Sequence, residues 1–140
     1  MIKEKKEFKV SVVIPTYNRV AYLGRAINSV LKQSYPVNEI IVIDNGSTDQ
    51  TLSFIKKKFT SIRVIIEKKR GVSFARNLGI KNCKYNWIAF LDSDDEWITD
   101  KIEKQFILLK KSNFKYQFIH TNEIWIKNGV LKNQKKKTLK

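Results

Sequence analysis

Asp92, Asp94, Asp95 and Glu96 place four of the chain's 13 acidic residues within five positions, interrupted only by Ser93. They follow directly on an apolar run, Trp87, Ile88, Ala89, Phe90 and Leu91. Carboxylates this close repel one another, and a cation among them relieves the repulsion. If the strand formed by the apolar run extends to Asp94, then Asp92 and Asp94, two positions apart, point to one face. Two carboxylates aimed at one point suit a hard divalent cation, Mn2+ or Mg2+, which completes its shell with water and substrate phosphates. The same residues suit a second role. Asp94, Asp95 and Glu96 favour the positive end of a helix that starts after Trp97. Asp92 is not explained by that helix.

Other chemistries are poorly supplied. Cys83 and His120 are the only residues of their types, too few for a zinc site, and both read as structural. A single cysteine excludes an internal disulfide and fits a reducing compartment. The five glycines, at positions 24, 46, 71, 79 and 129, form neither a dinucleotide fingerprint nor a phosphate-binding Gly-Lys-Ser/Thr loop.

Alternating strands and helices must position the acidic cluster. Residues 10–14 are apolar and β-branched and end at Pro15, which reads as a buried strand. Val20, Leu23, Ile27, Val30 and Leu31 have helical spacing, stopped near Pro36. Residues 39–44 read as a second strand, followed by a turn at Asn45, Gly46 and Ser47. Ser47 to Gln50 has capping-box spacing, and Leu52, Ile55 and Phe59 mark the face of a short helix. Residues 62–66 read as a strand, 73–80 as a helix, and 87–91 as a fourth strand. Ile98, Ile102, Phe106 and Leu109 line a longer helix; residues 116–120 and 122–127 read as strands, and Asn128-Gly129 is a hairpin signal. Apolar strands separated by amphipathic helices imply an α/β fold with a mostly parallel sheet covered on both faces. In such sheets ligands bind beyond the carboxyl ends of the strands. That edge would gather the turns at 16–19, 44–47 and 92–96.

A length of 140 residues suits one domain. The charge is uneven: 28 lysines and arginines give a net +15, and residues 127–140 carry six lysines and no acid. Most of this reads as a solvated surface. Beyond that it points to anionic ligands or peripheral contact with anionic membrane, and without a zinc-finger or RNA-binding signature nucleic acid is disfavoured as a partner. No apolar stretch approaches the about 20 residues that span a bilayer. The charged N-terminus, MIKEKKEFKV, lacks a signal-peptide core. The expectation is a soluble, cytoplasmic chain, peripheral to the inner face of the membrane.

Four segments, VSVVIPTYNR (10–19), EIIVIDNGSTDQT (39–51), GVSFARNLGI (71–80) and IAFLDSDDEW (88–97), resemble successive motifs of family-two glycosyltransferases in order and spacing. The resemblance covers residues 8–130. It implies the GT-A fold, a Rossmann-like three-layer sandwich, here incomplete in its C-terminal half. Residues 1–130 would form the N-terminal portion of a nucleotide-sugar-binding domain, followed by a Lys-rich tail at 131–140.

The resemblance also implies roles. Pro15, Thr16 and Tyr17 would line the base pocket, with Tyr17 near the ring; the lesser alternative for Tyr17 is an ordinary turn aromatic. Asn18 and Arg19 match the first motif. Asp44 would accept hydrogen bonds from the base. Asn45 stands where many relatives carry a second Asp, keeping the size and losing the charge. Gly46 and Ser47 would shape the turn, or Ser47 would act only as a helix cap. Arg76 would reach the nucleotide, or make a surface salt bridge, and Asn77 would hold local structure. Asp92, with Ser93, would bind the ribose or lie near the metal. Asp94 would ligate Mn2+ or Mg2+, Asp95 would support it or cap a helix, and Trp97 would pack.

The implied reaction transfers a sugar from a nucleotide-diphosphate donor to an acceptor hydroxyl with inversion, in cell-surface polysaccharide synthesis. Relatives are longer, and their catalytic base lies well beyond the Asp-x-Asp. Here the only acid after Glu103 is Glu123, so the sequence offers no good base. A donor-binding half that binds nucleotide sugar and metal without transfer is therefore the alternative. An unfinished sheet edge implies self-association into homo-oligomers.

Overall fold

The computed structural model describes residues 7–132; residues 133–140, most of the expected Lys-rich tail, lie outside the described residues. Strands β1 (Val10–Thr16), β2 (Glu39–Asp44), β3 (Arg63–Ile66) and β4 (Trp87–Phe90) form one parallel sheet in the order β3-β2-β1-β4. β1 is buried along its whole length. That two-sided burial explains why its sequence is a continuous apolar run rather than an alternation.

Helices α1 (Val20–Leu31), α2 (Thr51–Lys58) and α4 (Lys101–Lys111) supply one core, in which Leu23, Ile27, Ile55, Ile102 and Leu109 meet Val12, Ile14 and Val42 of the sheet. Helix α3 (Val72–Asn82) covers the other face, where Ala75 packs with Val13, Ile41 and Ile43. The chain passes from β3 over this face to β4, on the far side of β1. The sheet therefore grows in both directions from β1, and ligands of such sheets bind where the order reverses, at the carboxyl ends of the strands.

α3 lies close on the sheet because Gly79 has no side chain. A Cβ there would collide with Val13 Cγ1 and lie 2.9 Å from Cγ2. Val13 is fully buried and cannot retreat. Gly79→Ala is expected to lower stability by about 2 kcal/mol in chemical denaturation. Unchanged denaturation would show that the helix can lift at no cost.

The opposite end of the sheet is tied by Glu39. Its carboxylate accepts hydrogen bonds from Ser11 Oγ (2.6 Å), Arg63 Nη1 (2.7 Å) and the Lys84 N–H (2.9 Å). Three strands and the α3–β4 connection thus share one anion.

Several sequence expectations need correction. β4 stops at Phe90, and residues 92–95 form a turn in which the Asp95 N–H donates to the Asp92 carbonyl at 3.0 Å. Strand pleating therefore does not aim Asp92 and Asp94; the turn does. The helix reading of the acidic cluster also fails, because α4 starts only at Lys101 with Asp100 at its cap position. Ile98 consequently lies before the helix and is exposed. The capping box at Ser47 does not form: α2 starts at Thr51 after Gln50, which makes no side-chain cap. Ser47 Oγ instead accepts the Asn18 N–H (2.9 Å), joining two turns rather than ending a helix. Residues 116–120 are not a strand, and of 122–127 only β5 (Trp125–Lys127) is. Most apolar side chains there, Phe118 among them, are exposed, and the packing of Ile119 against the core is too little to select a sheet register. The Asn128-Gly129 signal holds. Both residues have positive φ (52° and 73°), and they join β5 to β6 (Val130–Lys132) as a two-stranded antiparallel hairpin.

Candidate functional site

A cleft of about 440 Å³ opens at the carboxyl edge of the sheet. β1 contributes Pro15 and Thr16, followed by Tyr17 and Arg19 from the β1–α1 turn; the turn after β4 contributes Asp92, Ser93 and Asp94. Arg76 reaches in from the first half of α3. Eight of the nine site residues expected from sequence therefore line one cavity. The ninth, Asp44, is fully buried at the end of β2, beside Thr16 in the β1–β2 register.

The turns are fastened to each other. Asn18 adopts a left-handed conformation (φ 49°), tolerable for Asn, whose side chain can hydrogen-bond locally. Its Oδ1 accepts the N–H groups of Thr48 (2.8 Å) and Asp49 (3.2 Å), and its own N–H goes to Ser47. Asp44 Oδ2 accepts the N–H groups of Gly46 (3.1 Å) and Ser47 (2.9 Å). These bonds fix the first two turns without consuming all polar groups. Asp44 Oδ1, Thr16 Oγ1 and Arg76 Nε are buried and have no hydrogen-bond partner among the described residues. Buried polar atoms are normally satisfied, so three orphans around one cleft mark a place prepared for a ligand.

The electrostatics are those of paired opposites. Arg76 Nη2 donates to Asp92 Oδ1 at 2.8 Å, Arg19 Nε lies 3.7 Å from Asp94 Oδ2, and Arg25 Nε lies 3.7 Å from Glu96. The repulsion expected within residues 92–96 is thus relieved in part by arginines from two helices and a turn. Asp95 carries the remainder: burial, then the carboxylates of Asp94, Asp92 and Glu123, push its pKa up. Trp97 packs on the core and its N–H donates to Ser29 Oγ at 3.0 Å, as a packing residue should.

Sequence reasoning missed Asn45, Arg70, Gly71, Val72 and Ala75, which also line the cleft. Asn45 looked like a neutral stand-in for an acid. It donates through Nδ2 to the carbonyls of Glu67 (3.0 Å) and Lys69 (2.6 Å) and accepts the Gly71 N–H (2.8 Å). Arg70 follows Lys68 and Lys69 in the sequence, where it reads as part of the basic surface. Its guanidinium carbon lies 3.7 Å from the Tyr17 ring centroid. The available signal was Gly71, whose φ of 133° marks a turn that only glycine adopts readily.

The family model described as glycosyl transferase family 2 matches residues 11–133. An uncharacterized glycosyltransferase of Rickettsia felis is 49% identical over 116 residues, which cover 81% of this chain and 19% of that protein. The Escherichia coli UDP-Glc:alpha-D-GlcNAc-diphosphoundecaprenol beta-1,3-glucosyltransferase WfgD is 36% identical, over 84% of this chain and 49% of its own length. Among solved structures, S. aureus TarS 1–349 in complex with UDP superposes with a TM-score of 0.68 at 29% identity, over 76% of this chain and 33% of that one. Mycobacterium tuberculosis glucosyl-3-phosphoglycerate synthase in complex with Mn2+, UDP and glucosyl-3-phosphoglycerate gives a TM-score of 0.52 at 26% identity, over 63% of this chain and 35% of that one. The chain spans half or less of the length of each.

Proposed function

This chain belongs to glycosyl transferase family 2, and on that footing we propose that its cleft holds the nucleoside diphosphate of a sugar donor, for transfer of the sugar to an acceptor hydroxyl with inversion. The observation that carries the reading is the convergence of Tyr17, Arg76, Asp92 and Asp94, far apart in sequence, on one cleft at the carboxyl edge of a GT-A sheet. TarS, of the same fold, was solved with UDP.

Each residue then has work that its position suits. Tyr17, exposed at the mouth, offers a ring face to the base. Asp44 Oδ1 and Thr16 Oγ1, orphaned beneath it, accept and donate toward the edge of the base. Arg76 orients Asp92 toward the ribose through their 2.8 Å bond. Asp94, beside Asp92 in the turn, is the carboxylate for Mn2+ or Mg2+. Among the described residues no group of three or more His, Cys, Asp or Glu could hold a metal ion unaided. That donor set fits a hard cation bound by one or two carboxylates and completed by diphosphate and water. Bound there, such an ion offsets charge on the leaving diphosphate. Glucosyl-3-phosphoglycerate synthase, of related fold, was solved with Mn2+ and UDP.

The acceptor is proposed to belong to cell-surface polysaccharide synthesis, as WfgD is named for a lipid-linked sugar acceptor. A second reading is binding of nucleotide sugar without transfer. One observation favours it: Glu123 accepts the Trp125 indole N–H at 3.0 Å, which engages that carboxylate rather than poising it to abstract a proton. Incubating the full chain with UDP-glucose or GDP-mannose and Mn2+ separates the readings. Release of nucleoside diphosphate that depends on an added lipid-linked sugar acceptor supports transfer; saturable binding with no release, or slow release without acceptor, selects the second. Absence of binding to either donor would overturn both.

A further inference from the structure

We infer that Asn45 is a positioning residue of the cleft: its carboxamide locks residues 67–71 so that Arg70 lies over Tyr17 and forms, with that ring, the wall against which a planar base packs. The inference rests on the nucleotide reading above. Asn45 is buried, and its side chain uses two donors and one acceptor, to Glu67 O, Lys69 O and Gly71 N. Only an amide has that pattern. An aspartate could still accept the Gly71 N–H, but it would set a carboxylate against two carbonyl oxygens. The asparagine is therefore required by the loop it holds.

The two backbone neighbours of Arg70, Lys69 and Gly71, are both fixed by this amide. The restraint keeps the Arg70 guanidinium carbon in van der Waals contact with the Tyr17 ring, 3.7 Å from its centroid. Three arginines line the cleft. Arg76 is bonded to Asp92 and Arg19 faces Asp94, whereas among the described residues Arg70 makes no ion pair. Its cation is planar, weakly hydrated and suited to stacking. The remaining N–H edges are left to donate to carbonyl oxygens of a base.

The test uses the full chain and three probes, UDP, uridine and inorganic pyrophosphate, with affinities from ligand-observed NMR in the presence of Mg2+. Arg70→Ala is expected to weaken UDP and uridine by the same factor, about tenfold, and to leave pyrophosphate unchanged. Arg70→Lys, which keeps the charge but not the plane, should not restore binding. Asn45→Asp should cost as much as Arg70→Ala, and the double variant no more than either alone. Loss of pyrophosphate binding with uridine unaffected would overturn the inference, as would rescue by lysine or losses that multiply in the double variant. Because Arg70 is exposed, its variants test the wall even if Asn45→Asp fails to fold. A wild-type chain that binds pyrophosphate but neither UDP nor uridine would instead sink the nucleotide reading itself.

Discussion

Replacing Asp94 by alanine should abolish metal-dependent binding of a nucleoside diphosphate while leaving the fold intact. The side chain of Asp94 is 52% exposed, and its ion pair among the described residues is a 3.7 Å approach to Arg19, so little stability is lost with it. Its value lies in the ion it would hold. Changes to groups that merely support metal ligands cost 10–100-fold in affinity, so loss of a ligand itself should cost at least about 100-fold. Calorimetric titration of UDP in Mn2+ measures this directly, with circular dichroism as the control for folding. Unchanged affinity in Asp94→Ala would remove the metal assignment. Asp92→Ala should behave differently: it strips Arg76 of its 2.8 Å partner, so it should weaken binding with and without metal.

The largest expected loss of stability comes from Glu39. Its side chain is only 7% exposed, yet it is charged and accepts hydrogen bonds from Ser11, Arg63 and Lys84. Glu39→Ala leaves these donors unsatisfied and the Arg63 charge without its partner. Breaking a buried pair costs roughly 3–5 kcal/mol; the partial exposure of Arg63 places the expectation at about 3 kcal/mol in chemical denaturation. Burial alone would raise the pKa of Glu39, but the bonds from the Lys84 N–H, Ser11 and Arg63 outweigh it and hold the value below the ordinary 4.5. A carboxylate depressed in the folded state stabilises fully above its unfolded pKa. Its contribution is lost as pH falls through the folded value. Wild-type stability should therefore fall in acid below about pH 4.5, and the part of that fall due to Glu39 should vanish in the alanine variant. Equal acid sensitivity in both proteins would show that other carboxylates dominate.

Much of this arrangement was legible in the sequence because local and global signals agree. β1 and β2 are buried on both faces, so continuous apolar runs identify them, and β2 spans the residues expected. Strand order was not legible. Placing β4 against β1 depends on pairings between distant segments, Val10 with Trp87 through Val13 with Phe90, which leave no local trace. The acidic turn was misread in geometry though not in place, because carboxylates two apart mimic a strand that the chain leaves at Phe90. Ser47 was misread for a related reason: the same spacing serves a capping box or a bond to a neighbouring turn, and Asn18, 29 positions away, decides between them. The parts played by Asn45 and Arg70 were not legible because composition treats an amide as an acid without charge and an arginine among lysines as surface. Their roles lie in what they touch.

On the proposed function, this cleft binds the diphosphate of a nucleotide donor together with a divalent cation at Asp94. Calorimetric titration of UDP into the full chain, once with Mn2+ and once with EDTA, tests it most directly. One saturable site in Mn2+ that disappears in EDTA is the expected result. Binding indifferent to EDTA, or no binding of UDP under either condition, would contradict it.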